Sequence, residues 1–149
     1  MNKIFIIAIS SVVLISCKND KQTTTSEETP EMEQVQEEHS ESIQLNNNEK
    51  WPVNEEMKPY VMQGEAVVNS YLETNNTDYA ALATQLKDLN TKLIKSCTMD
   101  GKSHDELHKW LHPHLELVEK LGNTTDPAAG KSATQEVSDS YKSYHQYFN

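Results

Sequence analysis

YAALATQLKDLNTKLIKSC, residues 79–97, decides the fold. Its side chains Tyr79, Leu82, Ala83, Leu86, Leu89, Leu93, Ile94 and Cys97 recur at steps of three and four, the spacing of one apolar helix face. No alternating, strand-like period competes with it. Asp78 stands just ahead as a helix N-cap, and Asp100-Gly101 behind it marks a turn. The same period appears on both sides. Before it, Met57, Tyr60, Val61, Gly64, Val67, Val68, Tyr71 and Leu72 form a stripe that Asn75-Asn76-Thr77 breaks. After it, Leu107, Leu111, His114, Leu115, Val118 and Leu121 form a third, ended by Gly122-Asn123. At its head, Ser103-His104-Asp105-Glu106 has the capping-box pattern, in which the hydroxyl and the carboxylate satisfy each other's orphan N–H groups. Beyond the Asp126-Pro127 loop, Val137, Tyr141, Tyr144 and Phe148 make a fourth stripe. Four amphipathic helices with short loops over residues 51–149 predict an all-α, up-down-up-down four-helix bundle.

Two prolines bear on this reading. If Asn54 caps helix 1, the Pro59 ring clashes with the carbonyl of Glu55. Alternatively the helix starts at Pro59, with Met57 on a lead-in turn. Pro113 falls inside the third stripe and is expected to kink that helix.

Residues 1–17 have a different character. Lys3 supplies a positive start, and residues 4–15 are apolar apart from Ser10 and Ser11. As a helix this run rises about 18 Å, too little for a hydrocarbon core of about 30 Å, so it reads as a cleaved signal peptide. Its end, Leu14-Ile15-Ser16-Cys17, resembles the lipobox of bacterial lipoproteins. That resemblance implies lipidation of Cys17 and a membrane anchor in the cell envelope. Lys18 follows the cysteine, and resemblance to Gram-negative sorting then implies the outer membrane, with the folded domain in the periplasm or at the cell surface. Residues 18–50 are rich in Thr, Ser, Glu, Gln and Asn; Met32, Val35, Ile43 and Leu45 are too few to offset ordering entropy. This segment is expected to be a disordered acidic tether, with a root-mean-square span of roughly 30 Å.

Composition narrows the function. The net charge is −10, and all 13 basic residues are lysine. No cationic surplus exists to displace counterions from phosphates, and no guanidinium fork to grip them, which excludes nucleic acid. Once Cys17 is the mature N-terminus, Cys97 is the sole remaining thiol, so no internal disulfide can form. Burial, metal binding and an intermolecular bond are its three uses.

The expected topology collects Met57, Cys97, Met99, His104, His108 and His145 at one end of the bundle. Cys97, Met99, His104 and His108 are candidate metal ligands, since thiolate, thioether and imidazole together suit copper or zinc. Each also has a structural reading. The methionines fill core space, His104 occupies a first turn, His108 and His112 are solvated, and His114 is a core histidine bonded to a carbonyl. The run His104-Asp105-Glu106-Leu107-His108 lacks the glutamate position of a zinc-protease helix. Tyr144-His145-Gln146-Tyr147-Phe148 resembles the end of the last helix in soluble four-helix b-type cytochromes. With Met57 near the start of helix 1, that resemblance implies Met57 and His145 as axial ligands of a non-covalent haem. Covalent attachment is excluded, because no Cys-x-x-Cys-His occurs. Cys97 beside His104 or His108 has no accompanying oxyanion-hole motif, and no enzyme is expected. Two functions follow: a non-catalytic envelope lipoprotein presenting an interaction domain to a protein partner, or a haem- or copper/zinc-binding bundle of the periplasm.

Overall fold

The computed structural model describes residues 42–149. They form α1 (Lys58–Thr74), α2 (Tyr79–Ser96), α3 (Gly101–Gly122) and α4 (Pro127–Tyr147). Each helix packs on its neighbours in sequence and α4 closes on α1, the ring expected of an up-down-up-down four-helix bundle. The signal peptide, Cys17 and residues 18–41 of the expected tether lie outside the described residues.

The connections follow local chemistry. Met57 N–H donates to the Asn54 carbonyl at 3.1 Å, making the lead-in turn, and Lys58 and Pro59 are the first helical residues. Proline is tolerated there because first-turn N–H groups have no helical acceptor. α1 ends where Asn75 takes a φ of 50° and Asn76 N–H reaches the Tyr71 carbonyl at 3.1 Å, a Schellman-type closure. Asp78 and Asp126 cap α2 and α4 by accepting from Ala81 N–H at 3.0 Å and Ala129 N–H at 2.7 Å. α3 runs through Pro113, which is exposed.

Two expectations are corrected. The capping box does not form: α3 starts at Gly101, where φ is +62°, and its N-cap Asp100 makes no side-chain cap bond. Glu106, instead of reaching back to the helix start, is only 3% exposed and accepts from Gln44 N–H at 2.8 Å and from Lys109 Nζ at 2.9 Å. Burial alone would raise the Glu106 pKa, but the Gln44 N–H and the Lys109 and Lys102 charges outweigh it and hold the carboxyl below its usual range.

Those contacts also revise the tether boundary. Residues 42–50 lie against the bundle as a strap: Ile43 packs on the core, and the Gln44 carbonyl accepts from Trp51 Nε1 at 2.5 Å. Trp51 is buried, donates its N–H to the Tyr147 carbonyl at 2.7 Å, and accepts from Asn149 N–H at 3.2 Å. The strap has few apolar residues of its own. One indole and one buried carboxylate on the folded domain supply the anchoring that composition could not reveal.

The core is Val61, Val68, Leu82, Leu86, Leu93, Leu107, Leu111, Val118, Leu121 and Val137, with an aromatic group formed by Trp110, His114, Tyr141, Tyr144 and Phe148. Each such side chain contributes about 1.5–3 kcal/mol by leaving water. Gly64 seats the Tyr141 hydroxyl so closely that any Cβ there would overlap it.

Candidate functional site

α3 presents His104, His108 and His112 at i, i+4 and i+8, which stacks the three rings along one helix face. His108 Nε2 lies 3.1 Å from His104 Nε2, and His108 Nδ1 lies 2.8 Å from His112 Nε2. The central ring therefore meets each neighbour through a different nitrogen. All three line a groove of about 360 Å³ whose other walls include Met57, Cys97 and the apolar side chains of Leu107, Leu111 and Leu115. No carboxylate lines it. Burial, then the neighbouring His104 and His112, push the His108 pKa down against a smaller opposing pull from Asp105. Near neutral pH His108 is thus a neutral imidazole with a lone pair to offer.

Asn54 joins the two sulfur-bearing segments. Its Nδ2 donates to the Ser96 carbonyl at 2.8 Å, and its Oδ1 accepts from Thr98 N–H at 3.3 Å. Its own carbonyl holds the Met57 turn. One side chain thereby pins the lead-in to α1 against the loop that carries Cys97. Met57 is 1% exposed, and Cys97, a free thiol, is half-buried at the end of α2.

Imidazole, thiol and thioether are donor types that transition-metal ions take. Imidazole nitrogens bound at about 2.0–2.1 Å to a tetrahedral centre stand roughly 3.3 Å apart. The 3.1 Å between His104 and His108 Nε2 is close to that separation. Among the described residues, no three His, Cys, Asp or Glu side chains converge on a single point. The ladder offers a pair of nitrogens, and Cys97 shares the groove without converging with that pair on one point.

Several candidates sit elsewhere. Met99 is half-buried against the core and does not line the groove. The structure also does not bring together Met57 and His145, the pair implied by the cytochrome resemblance. His145 lies exposed on α4 with Nε2 2.9 Å from Glu65 Oε2 on α1. In the Tyr144-His145 pair it is Tyr144 that points inward, stacked on Phe148, because consecutive helical residues are about 100° apart. His114 is a core histidine, but its partner is the Ser140 hydroxyl at 3.0 Å from Nδ1 instead of a carbonyl. It stacks on Trp110 with centroids 4.8 Å apart, its Nε2 has no partner, and burial pushes its pKa down to about 4. Trp110 packs, donating Nε1 to the Ser140 carbonyl at 2.8 Å.

His112 is the residue that sequence reasoning passed over. The signal was present, since histidine recurs at every fourth position from 104 to 112, but two rungs of that ladder read as solvated when taken singly. No protein-family model matches the chain, and neither a curated protein nor a solved structure matches it. The residues themselves define the class: a four-helix bundle with a groove of imidazole, thiol and thioether groups beside the α2–α3 turn.

Proposed function

We propose that this chain is a non-catalytic lipoprotein of the bacterial cell envelope whose bundle binds a transition-metal ion of the copper or zinc type. The observation that carries the metal reading is the His104–His108–His112 ladder lining one groove with Cys97 and Met57. Imidazoles and a thiol on an apolar wall are donor types that such ions take and are poorly suited to calcium or magnesium, which take oxygen ligands. The anchor rests on Leu14-Ile15-Ser16-Cys17. No helix among the described residues is long and apolar enough to cross a membrane.

The test of metal binding is equilibrium dialysis of the detergent-solubilised full chain against copper and against zinc. Near-stoichiometric retention is expected, with loss in the His104→Gln/His108→Gln variant; equal retention by that variant refutes the assignment. The anchor has a separate test. Cys17→Ser moves the protein from the membrane to the soluble fraction, and a variant that stays on the membrane contradicts lipidation.

A second reading, docking of an envelope protein, is favoured by one observation. The groove continues past Leu115 and the exposed Ile94 to Asn90, whose buried Nδ2 has no hydrogen-bond partner and would donate to a carbonyl from outside. Asn90→Ala, at a position that does not line the histidine groove, would weaken such docking while leaving metal retention unchanged.

A further inference from the structure

We infer that a zinc ion joins two copies of this chain at the α2–α3 groove, held by the Nε2 atoms of His104 and His108 from each copy. The inference rests on the metal-binding reading above and adds a partner, a second copy of the chain, and a stoichiometry of one ion per two chains.

A single chain supplies half of such a site. His104 and His108 Nε2 stand 3.1 Å apart, close to the separation of two imidazole ligands on one tetrahedral ion. Histidines at i and i+4 share a helix face, the spacing with which one helix supplies two zinc ligands in metalloproteases. A structural zinc takes four ligands, and among the described residues no third His, Cys, Asp or Glu side chain converges on the pair. A two-fold axis through the ion turns one two-nitrogen chelate into four nitrogens, because a symmetric pair uses the same surface twice. Both rings are half-buried at the groove and not sealed in the core. His108 Nδ1 is taken up by His112 Nε2 at 2.8 Å, so Nε2 is the nitrogen that turns to the ion. His112 is thereby a positioning residue. Asn54 has a similar duty at longer range, since it holds the loop that leads into the turn carrying His104.

Surface and charge favour a second copy as the other half. Ile94 is 47% exposed and Leu115 half-buried on the groove that holds the histidines, and a copy seated on the ion would cover both. Four neutral imidazoles leave a dication uncompensated. Asp105, exposed and next to His104, acts electrostatically on His108, and one such carboxylate from each copy balances the ion. Each chain carries a net charge of −10, so two copies repel one another without the ion. Association is therefore metal-dependent.

The experiment uses the full chain in density-matched detergent, stripped with a chelator and titrated with zinc chloride. Mass is read by sedimentation equilibrium and bound zinc by equilibrium dialysis. The expected result is a monomer without zinc, a dimer holding one zinc per two chains, and a return to monomer when chelator is restored. His104→Gln/His108→Gln, with unchanged helix content by circular dichroism, stays monomeric at every zinc concentration. A second readout needs no substitution: zinc-edge X-ray absorption of the dimer shows four imidazole nitrogens and no sulfur. A dimer that forms without zinc, or in the double variant, overturns the bridged site. Zinc retained by a monomer, or a sulfur neighbour at the zinc edge, also overturns it and leaves the metal-binding reading standing. If the chain retains neither zinc nor copper, both fall.

Discussion

Lowering the pH from about 7.5 to about 5 should destabilise the bundle, chiefly through His114. Its ring is 0% exposed, one nitrogen is bonded to Ser140 Oγ at 3.0 Å, and the other has no acceptor. A second proton would put a charged N–H where nothing can receive it, which is why burial lowers the pKa to about 4. In the unfolded chain the same imidazole titrates near 6.5. The sign follows directly. Above about pH 6.5 both states are neutral and the fold suffers no penalty; below it the unfolded state takes up a proton that the native state refuses until about pH 4. By pH 5 the difference amounts to about 2 kcal/mol, and His108, also lowered by burial, adds in the same direction. For a bundle of this size such a loss lowers Tm by roughly 8–16 °C. The carboxyls of Glu106, Glu119, Glu136 and Asp139 are all held below their usual range, so they contribute mainly further down. The assay is thermal unfolding by far-UV circular dichroism at the two pH values, for the wild type and for His114→Phe. The phenyl ring retains the stack on Trp110 and cannot titrate, so the variant should lose most of the pH dependence. A wild-type Tm that barely moves, or a variant as pH-sensitive as the parent, refutes the account of a buried neutral imidazole.

Other perturbations probe other contacts. Glu106→Gln removes the charge from the acceptor of Gln44 N–H and Lys109 Nζ; about 1–3 kcal/mol of strap anchoring should be lost. Amide exchange at Gln44 and Trp51 should then accelerate while the helices stay protected, and persistent protection at Gln44 would contradict the strap's dependence on Glu106. Gly64→Ala drives a Cβ into the Tyr141 hydroxyl and should destabilise the bundle by about 1–3 kcal/mol in denaturant titrations. Tyr141→Phe in the same chain should recover part of that loss, and strict additivity of the two changes would rule out the steric explanation. Asn54→Ala unpins the Met57 turn from the Cys97 loop and should reduce metal affinity by about 10-fold or more although no ligand is changed. An unaltered affinity would show that the two sulfur-bearing segments are held together by other contacts.

The four stripes were legible because burial of one helix face leaves a period in sequence, and Leu82, Leu86, Val118, Val137 and Tyr141 carry it plainly. The caps at Asp78 and Asp126 were legible for a similar reason, since a short acceptor before a helix has one dominant use. Glu106 shows where that logic fails. Its position three residues after Ser103 satisfies the capping-box pattern, yet the same carboxylate can be used by any donor brought to it from far along the chain. Gln44, distant in sequence, supplies that donor. Competition between a local and a long-range partner is decided by tertiary placement, which leaves no period to read. The strap was invisible on the same ground: its order depends on the Trp51 pocket and on Glu106, and composition averages over both.

The candidate site divides along the same line. Its α3 half is local, because histidines four apart must share a helix face whatever the rest of the chain does. Its sulfur half is not, because Met57 and Cys97 meet the ladder only where the start of α1 lies beside the α2–α3 loop, a juxtaposition that Asn54 secures with bonds to Ser96 and Thr98. His145 marks the limit of argument from position along the axis. It belongs to the same end of the bundle in sequence terms, but rotation about α4 turns it outward to Glu65 and gives the inward place to Tyr144. Height along a helix is set by residue number; azimuth is set by which face has the greater apolar area to bury. A ligand set inferred from height alone therefore gathers residues from several faces, and only those whose azimuth also faces the α2–α3 groove can act on one ion.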